Sequence, residues 1–171
     1  MRWLWTCSCC GKVQEDLPLD LGCEAPSYWD ATPEAERGPG SFLNSELCLL
    51  RRGEDVDYFM RGCLALPIIG MNENFVFGLW TSLSRQNFDR AIELNNEAVL
   101  DPDEGNPFGW LSNAVPGFPN CLNLKLRVHH SPHPQRPFFE LEPSDHPLAI
   151  AQRVGISTDD VVQIVAPLIS H

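Results

Sequence analysis

No stretch of this 171-residue chain carries the roughly 18 consecutive apolar residues of a membrane-spanning helix, so a helical span is not expected. Positive charge is also scarce: 12 Lys and Arg stand against 23 Asp and Glu, a net charge of −11. An acidic surface repels phosphate backbones, which disfavours general nucleic-acid binding. A partner drawn in by charge would instead be a basic protein. There is no GxSxG, P-loop, GxGxxG or HExxH, so the ready-made signatures of hydrolases, nucleotide enzymes and zinc proteases are missing. There is no internal repeat and no low-complexity tract. The apolar stretch in Met1-Arg2-Trp3-Leu4-Trp5-Thr6 is too short for a signal peptide. The expected compartment is therefore a reducing cytoplasm, where thiols serve metals, catalysis or packing rather than disulfides. Seven cysteines, an odd number, agree with that.

What is present suits one domain over 1–171 that can bury a core without staples, since 43% of the residues are hydrophobic. Trp3, Trp5, Trp29, Trp80 and Trp110 supply large core or groove-lining side chains. Fifteen prolines and twelve glycines predict many turns and short helices.

Residues 1–25 read as a cysteine-bearing knuckle segment. In 26–40 a short helix is expected with Thr32 as N-cap, Pro33 at its first position and Gly38-Pro39-Gly40 as its stop. A sheet region over 42–142 follows, with strands at 42–50 and 57–68 joined by a polar turn at Arg51–Asp55, and Pro67 marking an edge or a strand end. A third strand at 74–83 is rich in aromatic and β-branched residues. Ser84 then caps a helix over about 85–96, with an apolar stripe of Phe88, Ala91, Ile92 and Ala98. Further strands are expected from Phe108 to Val115, over 122–128 and from Arg136 to Glu142. Leu122, Leu124, Leu126 and Val128 alternate with Asn123, Lys125 and Arg127, the pattern of a half-buried strand. A helical hairpin over 146–168, with helices at 146–154 and 158–166 and Gly155 between them, closes the chain. The fold class is α+β, with a largely antiparallel sheet, a helix after the third strand, a C-terminal helical hairpin and an N-terminal CxxC knuckle.

Cys7-Ser8-Cys9-Cys10-Gly11 carries the strongest chemical signal. Two thiolates separated by two residues can share one zinc, because a tight turn aims both sulfurs inward and a following glycine lets the backbone tighten. No second CxxC exists, so the remaining ligands must come from the fold, and Cys48 and Cys63 are the candidates for a structural zinc with Cys7 and Cys10. A hairpin centred near Gly53-Glu54 would set Cys48 opposite Tyr58 or Phe59, so only a bulge at Gly62 would bring Cys63 nearer. A redox pair or packed thiols without a ligand are the alternatives.

The segment from Leu148 to Val161 matches a helix-turn-helix in spacing, but Asp159 and Asp160 would meet the DNA backbone at the start of the second helix. A plain helical hairpin with Ser157 and Asp160 as capping groups is the better reading. His129, His130 and His133 fit a stiff proline-bearing loop better than a metal tract, and His146 before Pro147 fits a helix cap. Arg61 and Arg136 stand in apolar surroundings where each calls for a carboxylate partner. Glu140 and Glu142 share one strand face, as solvated acids would.

Several segments in order resemble a bacterial family known as domain of unknown function 2199: Cys7-x-x-Cys10-Gly11, Arg61-Gly62-Cys63-Leu64 with Pro67, Gly78–Ser84, Phe108–Leu111, Leu122–Lys125, Arg136-Pro137, and His146–Ala149 with Gln152. The resemblance implies a small, single-domain bacterial protein and no particular reaction. It also implies a histidine shortly after the CxxC, where this chain reads Lys12-Val13-Gln14.

Two functions are open. The first is a non-enzymatic binding or regulatory protein whose partner surface draws on Arg61, Trp80, Trp110, Arg136 and His146; an acid-rimmed apolar patch would mark it. The second is a small metal-dependent or His/carboxylate hydrolase, which would gather His146 with Arg61, Arg136 or Glu140 in one pocket.

Overall fold

The computed structural model describes residues 4–7, 10–95, 105–132 and 134–169. The expected helical residue Ala98, the loop residues 101–104 and His133 lie outside the described residues, as do Trp3, Ser8 and Cys9. No described helix is long and apolar enough to cross a membrane.

β1 (Leu4–Thr6) and β2 (Val13–Glu15) make a separate antiparallel hairpin with Trp5 opposite Gln14. The remaining strands form one sheet: β3 (Asp20–Gly22), β4 (Phe42–Leu43), β5 (Leu47–Arg52), β6 (Asp55–Pro67), β7 (Asn74–Leu83), β8 (Phe108–Leu111), β9 (Lys125–His129) and β10 (Phe138–Leu141). β6 and β7 are its spine, paired without a break from Tyr58↔Leu83 to Pro67↔Asn74. The unbroken register leaves no bulge at Gly62.

Strands β6 to β10 close into a ring. β7 pairs with β8 at Thr81 and Ser82, β8 with β9, and β9 with β10, all antiparallel. β10 then returns to β6 as a parallel pair, Phe138↔Cys63, with the Cys63 N–H donating to the Pro137 carbonyl at 2.9 Å. β3 adds a second parallel pairing along Val76–Gly78 of β7. The sheet is thus largely antiparallel with two parallel contacts, and residues 20–22 belong to it rather than to the knuckle segment alone.

The strand alternation explains what fills the ring. Leu64, Leu66, Phe75, Phe77, Leu79, Leu111, Leu126, Val128 and Phe139 all lie in one buried core. Two glycines sit at the joints because a side chain would not fit. A Cβ on Gly62 would lie 2.4 Å from Phe139 Cε1, so Gly62 is the seat of that ring where β10 meets β6. A Cβ on Gly109 would lie 2.1 Å from Thr81 Oγ1 and 2.6 Å from the Ser82 carbonyl, where β8 meets β7.

The helices cover this same side. In α2 (Arg85–Leu94) the Ser84 hydroxyl accepts from the Asn87 N–H, as a cap should, and Phe88 and Ala91 enter the core. α3 (Pro147–Val154) contributes Leu148, Ala149 and Ala151. Its Gln152 is bonded twice to β10, donating to the Phe139 carbonyl and accepting from the Leu141 N–H, each at 2.8 Å. α4 (Thr158–Val165) begins with a capping box between Ser157 and Asp160, and Val161, Ile164 and Val165 pack inward. These two helices form the C-terminal pair, with Gly155 at φ 90° between them.

Four expectations shift. A short 3-10 turn over Glu34–Glu36 does follow Pro33, but it is preceded by a further short helix, α1 (Ser27–Asp30), and the Thr32 hydroxyl donates back to the Tyr28 carbonyl at 2.7 Å instead of capping forward. The strand expected at 42–50 is broken, because the Asn44 side chain accepts from the Glu46 and Leu47 N–H groups and turns the chain. β8 ends at Leu111, beyond which the Asn113 side chain takes over, accepting from the Trp80 N–H and donating to the Ala25 carbonyl. Residues 122–124 form a turn with Asn123 at φ 68°, so β9 starts only at Lys125.

Candidate binding cleft

The outward side of the ring divides into a covered half and an open half. Over β5, β6 and β7 the outward residues Cys48, Leu50, Phe59 and Trp80 form a second buried cluster, roofed by Tyr28, Trp29 and Leu43. Over β8, β9 and β10 nothing described lies on top. There the outward residues pair across the strands: Phe108 with Arg127, Trp110 with Lys125, and Phe138 with His129. The Arg127 guanidinium is 5.6 Å from the Phe108 ring centre and the Lys125 ammonium 5.7 Å from that of Trp110. His129 stacks flat on Phe138 at 4.6 Å.

A cleft of about 470 Å³ opens where the two halves meet. Phe59, nearly inaccessible, lies beneath it and Tyr28 stacks on Phe59 at 5.9 Å. Trp110 of β8, 41% exposed, forms one wall. The Tyr28 hydroxyl donates to Asn123 Oδ1 at 2.6 Å, joining α1 to the turn before β9. Ser82 and the Arg52–Asp57 ion pair complete the lining. Asn123 reaches the cleft because its left-handed backbone lifts it out of the strand register; asparagine is one of the few residues that tolerates that conformation.

Of the five residues expected to form a binding surface, Trp110 alone lines this cleft. Trp80 is a correction: it is fully buried, with its indole N–H donating to the Cys23 carbonyl at 2.9 Å. Trp80 and Trp110 both point outward, but α1 covers only the first. Arg61 lies across the Gly22–Gly78 pair, where a Cβ on Gly22 would stand 2.9 Å from its Nη2. Its buried Nε has no hydrogen-bond partner among the described residues, and no carboxylate there forms an ion pair with it. Arg136 does have its partner, holding both Glu46 oxygens at 2.8–3.0 Å. Arg61 and Arg136 share a small cleft of about 160 Å³, which neither His146 nor Glu140 lines. His146 caps α3: its Nδ1 accepts from the Leu148 N–H at 3.0 Å, so Nε2 carries the proton donated to the Pro119 carbonyl at 2.7 Å.

The four cysteines expected to bind zinc are not brought together. Cys7 is buried on the core side and Cys10 exposed, both in the β1–β2 turn, which Gly11 tightens at φ 70° with its N–H donating to the Cys7 carbonyl. Cys48 lies in the outward cluster, opposite Phe59, and Cys63 is four residues farther along β6, on the order of 13 Å away. Among the described residues no three His, Cys, Asp or Glu side chains are placed to hold a metal ion, so these residues do not fit a four-thiolate site. Burial pushes the Cys48 thiol up to about 12 and Cys121 to about 11, and raises Cys23 and Cys63, so all four are protonated thiols near neutrality.

The profile of a bacterial family described as an uncharacterised protein conserved in bacteria, domain of unknown function 2199, matches residues 6–156. The chain belongs to this family. No curated protein and no solved structure matches the chain. The family match spans the ring, the cleft and α3 but stops at Ile156, before α4. Sequence reasoning missed Tyr28, Ser82, Arg52 and Asp57. The signals pointing to this region were Trp110 itself, named as a partner-surface residue, and the alternation that turns Lys125 outward beside it on β9.

Proposed function

We propose that this member of the domain of unknown function 2199 family is a non-catalytic binding protein whose ligand occupies the cleft between Tyr28 and Trp110. The observation that carries this reading is the half-exposed indole of Trp110 beside hydrogen-bonding groups in a concavity of about 470 Å³, a size suited to small ligands. Aromatic walls with a few fixed polar groups bind and orient. Covalent catalysis by Ser82 would need a base beside it, and no histidine lines the cleft. Tyr28 is bonded to Asn123 and Arg52 to Asp57, which fixes the shape of the cleft and leaves Ser82 and the Asn123 amide hydrogens open to a ligand.

The test is a nuclear magnetic resonance screen of the labelled protein against a library of small aromatic and heteroaromatic compounds. The Trp110 indole signal is assigned by its loss in Trp110→Phe. Hits gathering at Trp110, Tyr28 and the Asn123 amide support the reading. Hits gathering elsewhere, or none, overturn it.

A further inference from the structure

The cations beside the cleft point to a ligand class. Acids outnumber bases in this chain by 23 to 12. Several described arginines accordingly stand against a carboxylate: Arg52 with Asp57, Arg85 with Asp89, Arg90 with Glu93, and Arg136 with Glu46. Lys125 and Arg127 do not, nor do Arg37, Arg51, Arg61 and Arg153, but only Lys125 and Arg127 lie side by side on one strand against aromatic rings at the edge of the cleft. They are successive outward residues of β9, and among the described residues neither forms an ion pair. Arg127 donates a long hydrogen bond to the Asn106 carbonyl at 3.4 Å. Glu140 is paired in register with Arg127, yet its carboxylate lies 3.5 Å from His129 Nε2. Two cations thus stand without acid partners over the Trp110 and Phe108 rings, outside the cleft lining but next to its Trp110 wall.

The cleft supplies the complementary half of the recognition. Trp110 and Tyr28 offer flat apolar surface on which a planar ring can stack. Ser82 Oγ has no partner among the described residues, Asn123 keeps both amide hydrogens after its oxygen accepts from Tyr28, and Asp57 keeps one oxygen beyond its contact with Arg52. Those groups suit hydroxyls and ring edges. The net charge of −11 works against a long polyanion but not against one phosphate placed beside two cations.

We infer that the cleft binds a nucleoside monophosphate, with the base stacked on Trp110, the sugar hydroxyls at Ser82, Asn123 and Asp57, and the phosphate at Lys125 and Arg127. This rests on the binding reading above and adds the ring-plus-anion chemistry. An aromatic carboxylate shares that chemistry but has no hydroxyls for the polar set.

The experiment is calorimetric titration of the full chain with AMP, adenosine, ribose 5-phosphate and indole-3-acetate at low and moderate salt. AMP is expected to bind roughly tenfold tighter than adenosine, about threefold for each exposed cation, with the advantage shrinking as salt rises. Ribose 5-phosphate, lacking the base, binds much more weakly. Lys125→Glu and Arg127→Glu bring AMP down to the adenosine level, and unchanged thermal melting shows that the fold is intact. AMP no tighter than adenosine, or indole-3-acetate tighter than AMP, overturns the inference. If none of the four binds while the aromatic library still gathers at Trp110, this inference alone falls. If the library misses Trp110 as well, the binding reading falls with it.

Discussion

The two sides of the same three strands have opposite fates. On β8 Leu111 is fully buried and Trp110 is 41% exposed; on β10 Phe139 is buried and Phe138 is 50% exposed. On β9 Leu126 and Val128 enter the core while Lys125 and Arg127 face outward. Because side chains alternate with period two, each residue that holds the ring together has a neighbour free of that duty. Stability and binding are therefore interleaved along the chain yet separable by substitution.

The comparison is tested most severely at the joint of the ring. Phe139→Ala should lose about 3–5 kcal/mol in denaturant unfolding, as a buried aromatic does. Gly62→Ala should lose about 2–3 kcal/mol by pushing on that ring, and less in a Phe139→Leu background where the ring is gone. A neutral Gly62→Ala would mean that β10 does not close on β6.

Next in size is an alkaline effect seated in the outward cluster. Cys48 is raised from 9.0 to about 12, so between those values the unfolded chain has lost a proton that the folded chain keeps. Its contribution to stability is complete below about pH 9 and is lost as pH rises toward about 12, on the order of 2–4 kcal/mol. Cys48→Ala should lower stability at neutral pH and flatten that alkaline slope. An equally steep slope in the variant would assign the effect to other groups.

Smaller still, His146→Ala removes the α3 cap and should cost about 1 kcal/mol in thermal or denaturant melts. Asn in its place should recover most of that, because it can accept from the same N–H. A Trp110→Ala variant should change unfolding free energy by only about 0.5 kcal/mol while abolishing ligand-induced shifts at the cleft. A large loss of stability there would make Trp110 a structural residue and blur the two-sided picture.

Local signals in the chain were enough for the elements that depend on local chemistry. The strand at 74–83, the caps Ser84, His146 and Ser157, the stop at Gly155 and the C-terminal helix pair could all be read from spacing and residue type. The Cys48–Phe59 register was legible as well, because one hairpin sets it. The closure of β10 on β6 was not, since it pairs residues far apart in sequence through a single parallel contact. α1 was also not legible, although the short helical turn expected after Thr32-Pro33 is present at Glu34–Glu36; it lacks the Thr32 cap because that hydroxyl is taken by the Tyr28 carbonyl behind it. Site residues were harder. Alternation assigns residues to two sides but does not say which side a distant loop will cover, so Trp80 and Trp110 looked alike. The cleft itself is assembled from α1, the β5–β6 hairpin, β7, β8 and a left-handed asparagine, five places with no common local pattern.

The five-stranded ring has one more consequence. A meander with an odd number of strands brings the last strand back alongside the first in the same direction, so β6 and β10 must meet in parallel. That contact closes the longest loop of the ring, and loop-closure entropy makes such contacts late. During synthesis β6 to β9 emerge with their apolar side covered only by α2 until Phe139 and α3 follow. The order of manufacture thus leaves a window in which this side is exposed to aggregation, and it shuts only when the chain beyond residue 138 has been made.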